Sequence, residues 1–312
     1  MTRRQCLAFG WAAAVLLAAG CGFAVAAEPA APRAAARPDD GKLRIIVFGA
    51  HPDDAEIRAG GSSLLWSKLG HHVQLVSATN GDIGHSRVAG PKLAAIRKAE
   101  AKTADTMLGA ASRVLDIHDG ELEPTLENRR TFTRVIRQWQ ADIVIGHRPN
   151  DYHPDHRYVG VLMQDSGYMV TVPFFCPDTP YLRSNPVFLY SEDGFQRPNP
   201  FRPDVVVAID DVVEQKVKAL MTMESQFVEG GATGTYPKDE AQREAIRKRG
   251  ADGFRGRCAA VANRFRDKLI ELYGEEQGKK VRYAEAFEVC EYGRRPNAEE
   301  LRHLFPMLPP NK

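Results

Sequence analysis

Four short, mainly apolar runs, separated by stretches with helical patterning, restrict the fold of this chain more than any other feature. The runs cover residues 45–48, 72–78, 114–117 and 141–146. Such short runs of branched residues are typical of strands buried on both faces, as in a parallel sheet covered by helices. The sequence therefore predicts an α/β fold: a Rossmann-like, doubly wound, mostly parallel sheet with helices on both faces and a C-terminal α+β extension.

Polar residues of the kinds that bind metals follow the first and the fourth of these runs. Residues 50–56 are Ala-His-Pro-Asp-Asp-Ala-Glu, and residues 150–157 are Asn-Asp-Tyr-His-Pro-Asp-His-Arg. In the common doubly wound strand order, 3-2-1-4, the first and fourth strands are neighbours at the point where the winding reverses, and ligands bind there. The two segments are therefore expected to meet in one crevice and to form one metal site.

The residue types in the two segments indicate a catalytic metal site. Two histidines and one aspartate around Zn²⁺, with water in the fourth position, make an open site, and we predict His51, Asp54 and His156 as the ligands. Zinc lowers the pKa of a water to roughly 7, and Asp53 is predicted as the general base that takes its proton. His153 is predicted to stabilise the oxyanion and to protonate the departing amine.

Other side chains are candidates for supporting these residues or for contacting a substrate. Asp155 is placed to orient a ligand histidine. Asp82 and Arg87 follow the second strand on a turn that is expected to face the crevice, where an arginine can bind hydroxyl or carboxylate groups. The alternative is that these two residues are ordinary surface and capping residues.

The two segments resemble those of the LmbE-like, or PIG-L, zinc-dependent deacetylases. The marks of that family are an Ala-His-Pro-Asp-Asp-x-Glu segment after the first strand and a His-Pro-Asp-His segment after a later one. The resemblance is clear over residues 43–157, and it implies the same five roles for the same residues. In the mycothiol-pathway members a tyrosine stands two residues before the position of His153. Here that residue is Asp151, so Tyr152 is a candidate for substrate contact rather than for the oxyanion role.

The resemblance implies removal of an acetyl group from an N-acetylglucosaminyl group. We therefore expect a hydrolase that acts on an N-acetylated amino sugar or a related small amide, with Zn²⁺ or Fe²⁺ as its cofactor. A zinc-dependent esterase or other amidohydrolase, and a sugar-binding protein of the same fold without catalysis, remain alternatives. A dinucleotide-binding protein is excluded, because the first turn carries carboxylates that would repel a pyrophosphate.

The N-terminus predicts export. Residues 1–27 have the layout of a secretory signal, with two arginines, an apolar stretch too short to span a membrane, and small residues. Residues 28–41 are rich in Ala and Pro and are expected to be a disordered linker, followed by a single domain over residues 42–312. The signal ends either in cleavage or in lipidation at Cys21, so the expected location is periplasmic or extracellular, with or without a lipid anchor.

Charge and cysteine content narrow the range of partners. The chain has 42 Lys and Arg against 40 Asp and Glu, and the signal contains two of the arginines and no acid. The remaining charge is balanced, which argues against a nucleic-acid or anionic-membrane partner. The expected partner is therefore a small-molecule or glycan substrate.

Outside the signal three cysteines remain, at positions 176, 258 and 290. They are expected either to be buried apolar side chains or to form one disulfide.

Overall fold

Branched apolar residues build one central sheet in the part of the chain that the structure describes. The computed structural model describes residues 32–310, so the predicted signal and Cys21 lie outside the described residues. Within them, the strands are β1 (Arg44–Gly49), β2 (His72–Ser77), β3 (Ala111–Val114), β4 (Ile143–Gly146), β5 (Val187–Ser191), β6 (Val205–Ala208) and β7 (Ala284–Cys290). The helices among the same residues are α1 (Asp54–Lys68), α2 (Pro91–Met107), α3 (Leu126–Trp139), α4 (Pro154–Met169), α5 (Val213–Leu220), α6 (Glu224–Phe227), α7 (Glu240–Arg264), α8 (Arg266–Tyr273), α9 (Glu275–Lys280) and α10 (Ala298–Leu304).

The strand order of the sheet is β3-β2-β1-β4-β5-β7-β6. Strands β1 to β5 are parallel to one another, and β7 is antiparallel to both β5 and β6. The predicted 3-2-1-4 order and the mostly parallel sheet are confirmed. Because β1 and β4 pair directly, with Ile45 opposite Ile143 and Val47 opposite Ile145, the segments that follow these two strands start side by side.

The hydrophobic core has two layers, one on each face of the sheet. Successive side chains of a strand point to opposite faces, so neighbouring residues of one strand belong to different layers. Ile45 and Val47 belong to the layer that packs against α1, α2, α5 and α7. Ile46 and Phe48 belong to the layer that packs against α3 and α4, where the ring of Phe48 stacks on that of Phe132 at 4.8 Å. Helices therefore cover both faces, as the sequence predicts.

Several element boundaries differ from the expected ones. The sequence shows helical patterning over residues 61–69, but α1 begins at Asp54, because the polar segment itself forms its first turn. The third strand covers Ala111–Val114 instead of residues 114–117. The sequence pattern over residues 212–227 predicts one long helix, but the structure has two helices there, α5 and α6.

Residues 32–41, the described part of the predicted linker 28–41, contact the rest of the domain. Ala34 forms a parallel β-bridge with Tyr181, and the Arg37 guanidinium donates to both carboxylate oxygens of Asp142. Its Nη2 atom also donates to the carbonyl of Lys42 at 2.6 Å. Backbone pairing and an ion pair thus hold residues 32–41 against the domain, which composition alone does not reveal.

Two further features concern the environment of the protein. Cys176, Cys258 and Cys290 are all free and buried, which agrees with the interpretation that they are small apolar side chains. No helix among residues 32–310 has the combination of length and apolar character that a membrane span requires.

Candidate metal centre and active site

The two polar segments meet at the carboxyl ends of β1 and β4. His51 and Asp54 lie on the turn between β1 and α1, whereas His153 and His156 lie at the start of α4. The short turn after β1 closes through hydrogen bonds from the Asp53 and Asp54 backbone amides to the carbonyl of His51, at 2.9 and 3.2 Å. This turn brings the side chains of residues 51 and 54 to the same side.

Three side-chain atoms at this place form a nearly equilateral triangle. The distances are 3.3 Å from His51 Nδ1 to Asp54 Oδ2, 3.4 Å from His156 Nε2 to Asp54 Oδ2, and 3.3 Å between the two nitrogens. Bonds of about 2.0–2.1 Å to a tetrahedral Zn²⁺ require ligand atoms about 3.4 Å apart. The three predicted ligands therefore fit one face of a zinc coordination tetrahedron.

Carboxylates orient the His51 ring. Its Nε2 atom lies 3.1 Å from Asp119 Oδ1 and 3.2 Å from Asp155 Oδ2. Asp155 is fully buried and also accepts the backbone amide of Gly120 at 2.8 Å. A proton on Nε2 directed at these carboxylates leaves Nδ1 with its lone pair toward the triangle, which is the state that a metal ligand needs.

A second carboxylate and a second imidazole hold His156. Its Nδ1 atom lies 3.1 Å from Asp151 Oδ1, so Nε2 is the nitrogen directed at the triangle. The ring of His147 stacks on that of His156 at 4.2 Å, and His147 Nε2 lies 3.5 Å from Asp54 Oδ2. His147 is a further donor within reach of the centre.

The charges around the triangle favour a cation. Burial by itself lowers the pKa of His51, but the carboxylates of Asp119, Asp155 and Asp54 raise it well above its usual value. Likewise, Asp54 and Asp151 overcome the effect of burial and raise the pKa of His156 to about 9. The two imidazoles are thus surrounded by several carboxylates. A set of nitrogen and oxygen donors with this negative charge is suited to bind a divalent metal ion.

Asp53 and His153 flank the triangle. Asp53 is buried, and its pKa is raised to about 6, first by burial and then by the negative charge of Asp54. His153 is the N-cap residue of α4, and its Nδ1 accepts the backbone amide of Asp155 at 3.2 Å. Its Nε2 therefore carries the proton in the neutral ring. Burial and two neighbouring imidazoles lower the pKa of His153, so this neutral form is favoured.

The remaining predicted residues lie at different distances from the triangle. Asp82 accepts the amide of Asp119 at 3.2 Å and contacts His118 Nδ1 at 2.6 Å, so it supports the loop that carries Asp119. Arg87 lies over the ring of Tyr236, 3.9 Å from its centroid, and is not brought to the triangle. Tyr152 is at the mouth of the site, with its ring exposed beside His153.

Three contributors to the site are absent from the sequence-based candidates: Asp119, His147 and Asp151. His147 follows β4 directly, and Asp119 lies on the loop after β3. Polar residues after the end of a parallel strand are the signal that could have identified both. Arg97 is buried near the site as well, where its charge acts on Asp53 and its Nη2 atom donates to Gly84 O at 2.6 Å.

Comparison with known proteins points to one family. The model of the PIG-L family, described as GlcNAc-PI de-N-acetylase, matches residues 46–165. The chain is 32% identical over 192 residues to diacetylchitobiose deacetylase of Thermococcus kodakarensis, in an alignment that covers 60% of this chain and 71% of that protein. The region that the family model matches includes both polar segments.

A solved structure and a second relative extend the comparison. The structure of N,N′-diacetylchitobiose deacetylase from Pyrococcus horikoshii superposes with a TM-score of 0.62 at 25% identity, covering 80% of this chain and 84% of that one. The chain is also 26% identical over 189 residues to 4-oxalmesaconate hydratase of Pseudomonas putida, covering 58% of this chain and 73% of the relative. Proteins similar to this chain therefore include both deacetylases and a hydratase.

Proposed function

This chain belongs to the PIG-L family, and from that premise we propose that it is a metal-dependent N-deacetylase of N-acetylated amino sugars or related small amides. The observation that carries the proposal is the triangle of His51, Asp54 and His156, whose ligand atoms lie 3.3–3.4 Å apart. Two histidines and one carboxylate leave coordination positions open for water and substrate, as catalytic sites require.

These three side chains would hold the metal, and we propose Zn²⁺, with Fe²⁺ as the alternative because the same donor set suits both ions. Such an ion supplies Lewis acidity, which polarises an acyl oxygen and lowers the pKa of water to about 7.

The chain's own groups supply the proton transfers. Asp53, buried beside the triangle, takes a proton from the attacking water. His153 directs Nε2–H toward the site, because its Nδ1 accepts the amide of Asp155. That proton stabilises the charge that develops on the acyl oxygen and is then available to the departing amine. The two groups are the N-cap residues of different helices, α1 and α4, so they can approach a substrate from two sides.

The substrate class is supported by the relatives. Two of them, from Thermococcus and Pyrococcus, are deacetylases of diacetylchitobiose, an N-acetylated sugar. The arrangement of residues 51–54 and 153–156 requires only an acyl group attached to a nitrogen, so a small non-sugar amide fits the same chemistry. We further propose that the protein works outside the cytoplasm, on the basis of the signal-like residues 1–27.

Two variants test the proposal. Asp53→Asn is expected to lower turnover by about 100-fold or more while metal content stays at one ion per chain, because the base is lost and the ligands remain. His156→Ala is expected to lose the metal. His72→Ala, at the opposite end of the sheet, is the control. Metal content is measured by elemental analysis, and turnover is followed by release of acetate and of free amine from N-acetylated sugars.

The products separate this proposal from its alternatives. Equal amounts of acetate and free amine indicate an N-deacetylase, whereas acetate without amine, released from acetate esters, indicates an esterase. Hydration of an unsaturated acid without release of acetate would indicate that the chain is a hydratase, like the relative from Pseudomonas putida. Full turnover by Asp53→Asn would contradict the assignment of the base.

A further inference from the structure

Two aromatic side chains outside the catalytic group lie at the mouth of the site. Tyr152 is 72% exposed, although it is a large and partly apolar residue. Its ring stands edge-on to those of His153 and His156, with centroids 5.8 and 5.5 Å apart. Phe195, on the loop after β5, lies beside Tyr152, with ring centroids 6.4 Å apart.

A buried ion pair fixes the loop that carries Phe195. Arg148 Nε donates to Asp193 at 2.6 Å, and both residues are only 4% exposed. The Arg148 guanidinium also donates to the carbonyls of Phe195 and Asn199 at 2.9 and 3.0 Å. Asp193 in turn accepts the amide of Phe195 at 2.9 Å. The loop is thereby held against the end of β4, so Phe195 is in place before any ligand binds.

The exposure of Tyr152 distinguishes two roles. A hydrogen-bond donor to an oxyanion works best in a site from which water is excluded, and a ring that is mostly in water does not meet this condition. An exposed ring beside a reaction centre is suited instead to bury the flat face of a ligand, since aromatic side chains gain from large contact areas at low entropic cost.

The position of the rings indicates which part of a substrate they contact. In the proposed reaction His153 protonates the amine, and the amine stays attached to the sugar ring. The amino sugar therefore lies on the His153 side of the triangle. Whatever is linked to that sugar continues outward over Tyr152 and Phe195.

We propose that Tyr152 and Phe195 form an aromatic shelf that binds the second ring of an N-acetylated di- or oligosaccharide. This inference rests on the proposed function and adds a specificity site to it. The shelf makes the enzyme prefer a linked sugar over the free N-acetylated monosaccharide. The hydroxyl of Tyr152 has no part in this contact; its ring does.

The test compares N,N′-diacetylchitobiose with N-acetylglucosamine as substrates of the metal-loaded full chain. The wild type is expected to show a higher kcat/KM for the disaccharide. Tyr152→Ala and Phe195→Ala are each expected to lower the disaccharide-to-monosaccharide ratio of kcat/KM by about 3- to 10-fold, mainly through KM for the disaccharide, as loss of one stacking contact implies. Tyr152→Phe is expected to keep the wild-type ratio, because it keeps the ring.

Tyr168→Ala is the matched control. Tyr168 is also 72% exposed and lies on α4, near the opposite end of that helix from His156. It is expected to leave the ratio unchanged. If Tyr152→Ala lowers kcat/KM equally for both substrates, or if Tyr152→Phe lowers kcat by 100-fold, the aromatic shelf is refuted and Tyr152 has a catalytic role.

A binding measurement without turnover tests the aromatic shelf independently of the proposed deacetylase activity. Calorimetric titration of Asp53→Asn, with and without the added Tyr152→Ala change, measures affinity for both sugars without turnover. Tighter binding of the disaccharide that disappears with Tyr152→Ala supports the shelf even if the wild type releases no acetate. Equal affinity for the two sugars in Asp53→Asn would refute it.

Discussion

Glu56, the last residue of the first polar segment, interacts with a second carboxyl group outside the triangle. It is buried beneath the turn, where its carboxyl group interacts with that of Asp105 on α2. Burial, and then the charge of Asp105, raises the pKa of Glu56 well above its usual value, and burial raises that of Asp105 from 3.8 to about 6. Two buried carboxyl groups in contact favour a shared proton.

This pair predicts a loss of stability as the pH rises. A carboxyl group whose pKa is higher in the folded state than in the unfolded state stabilises the fold while it is protonated. This contribution to the free energy of unfolding is fully present below pH 4 and is lost as the pH rises through 6. Asp105→Asn cannot ionise, so it is expected to unfold at nearly the same denaturant concentration as the wild type at pH 4. At pH 7 and above it is expected to be more stable by roughly 2–3 kcal/mol, since each pKa unit corresponds to about 1.4 kcal/mol.

Urea denaturation from pH 4 to pH 8 measures the difference between the two proteins. A chelator is present throughout, so that pH-dependent metal binding does not contribute. The histidines titrate in both proteins, so their effect on the free energy of unfolding cancels when the two proteins are compared. A stability difference that stays constant over this pH range would contradict the shared proton.

At the scale of elements, the site depends on how closely α4 approaches the end of β4. Gly160, on α4, faces the backbone that follows β4. A Cβ atom at this position would lie 2.7 Å from Arg148 C and from Pro149 N, and 2.9 Å from His147 O. The missing side chain therefore lets the helix that carries His153 and His156 lie directly on the loop that carries His147.

Gly160→Ala is expected to push α4 away from this loop. The expected cost is about 1–3 kcal/mol of unfolding free energy, as for other overpacked sites, together with weaker metal binding because His156 moves from the triangle. Thermal unfolding and competition with a chelator measure the two effects. Gly253→Ala on α7, where a Cβ meets nothing within 4 Å, is the control and is expected to stabilise by about 0.4–1 kcal/mol. Equal stability of the two variants would contradict the role of the close approach.

At the scale of the whole molecule, one buried ion pair joins three distant parts of the chain. Lys216 of α5 donates to Glu285 of β7 at 2.7 Å and to the carbonyl of Ile57 at 2.7 Å. Glu285 also accepts the amides of Gly61 and Ser62 on α1, at 2.8 and 2.7 Å. The pair thus connects the helix that begins at the metal site to the antiparallel extension of the sheet.

Removal of one partner is expected to be costly. Lys216→Met leaves the Glu285 carboxylate buried without its counter-charge, and the expected loss is about 3–5 kcal/mol. The double variant Lys216→Met with Glu285→Gln is expected to recover part of this loss, because no unpaired charge remains. Chemical denaturation measures both, with Lys279→Met of the exposed pair with Glu275 as a control that changes little. A double variant no more stable than the single one would argue against this explanation.

The sequence could predict those parts of the molecule that follow from local pattern. Short buried runs alternating with helical segments predict the parallel sheet, and the rules of βαβ winding then make β1 and β4 neighbours. Residues 50–56 and 150–157 could therefore be assigned to one crevice. Composition does not reveal contacts with partners far along the chain, such as those that Asp142 and Tyr181 make with residues 32–41.

By itself the sequence determined which residue types gather at the candidate site and on which strand ends they stand, because periodicity and adjacency along the chain fix both. Only the tertiary structure decided which nitrogen of His51 and of His156 faces the triangle. Asp119 on the loop after β3, Asp151 before α4 and Asp155 in the first turn of α4 set the ring orientations. It also decided that Tyr152 and Phe195 stand together at the mouth. Such contacts depend on distances between segments that no local pattern encodes.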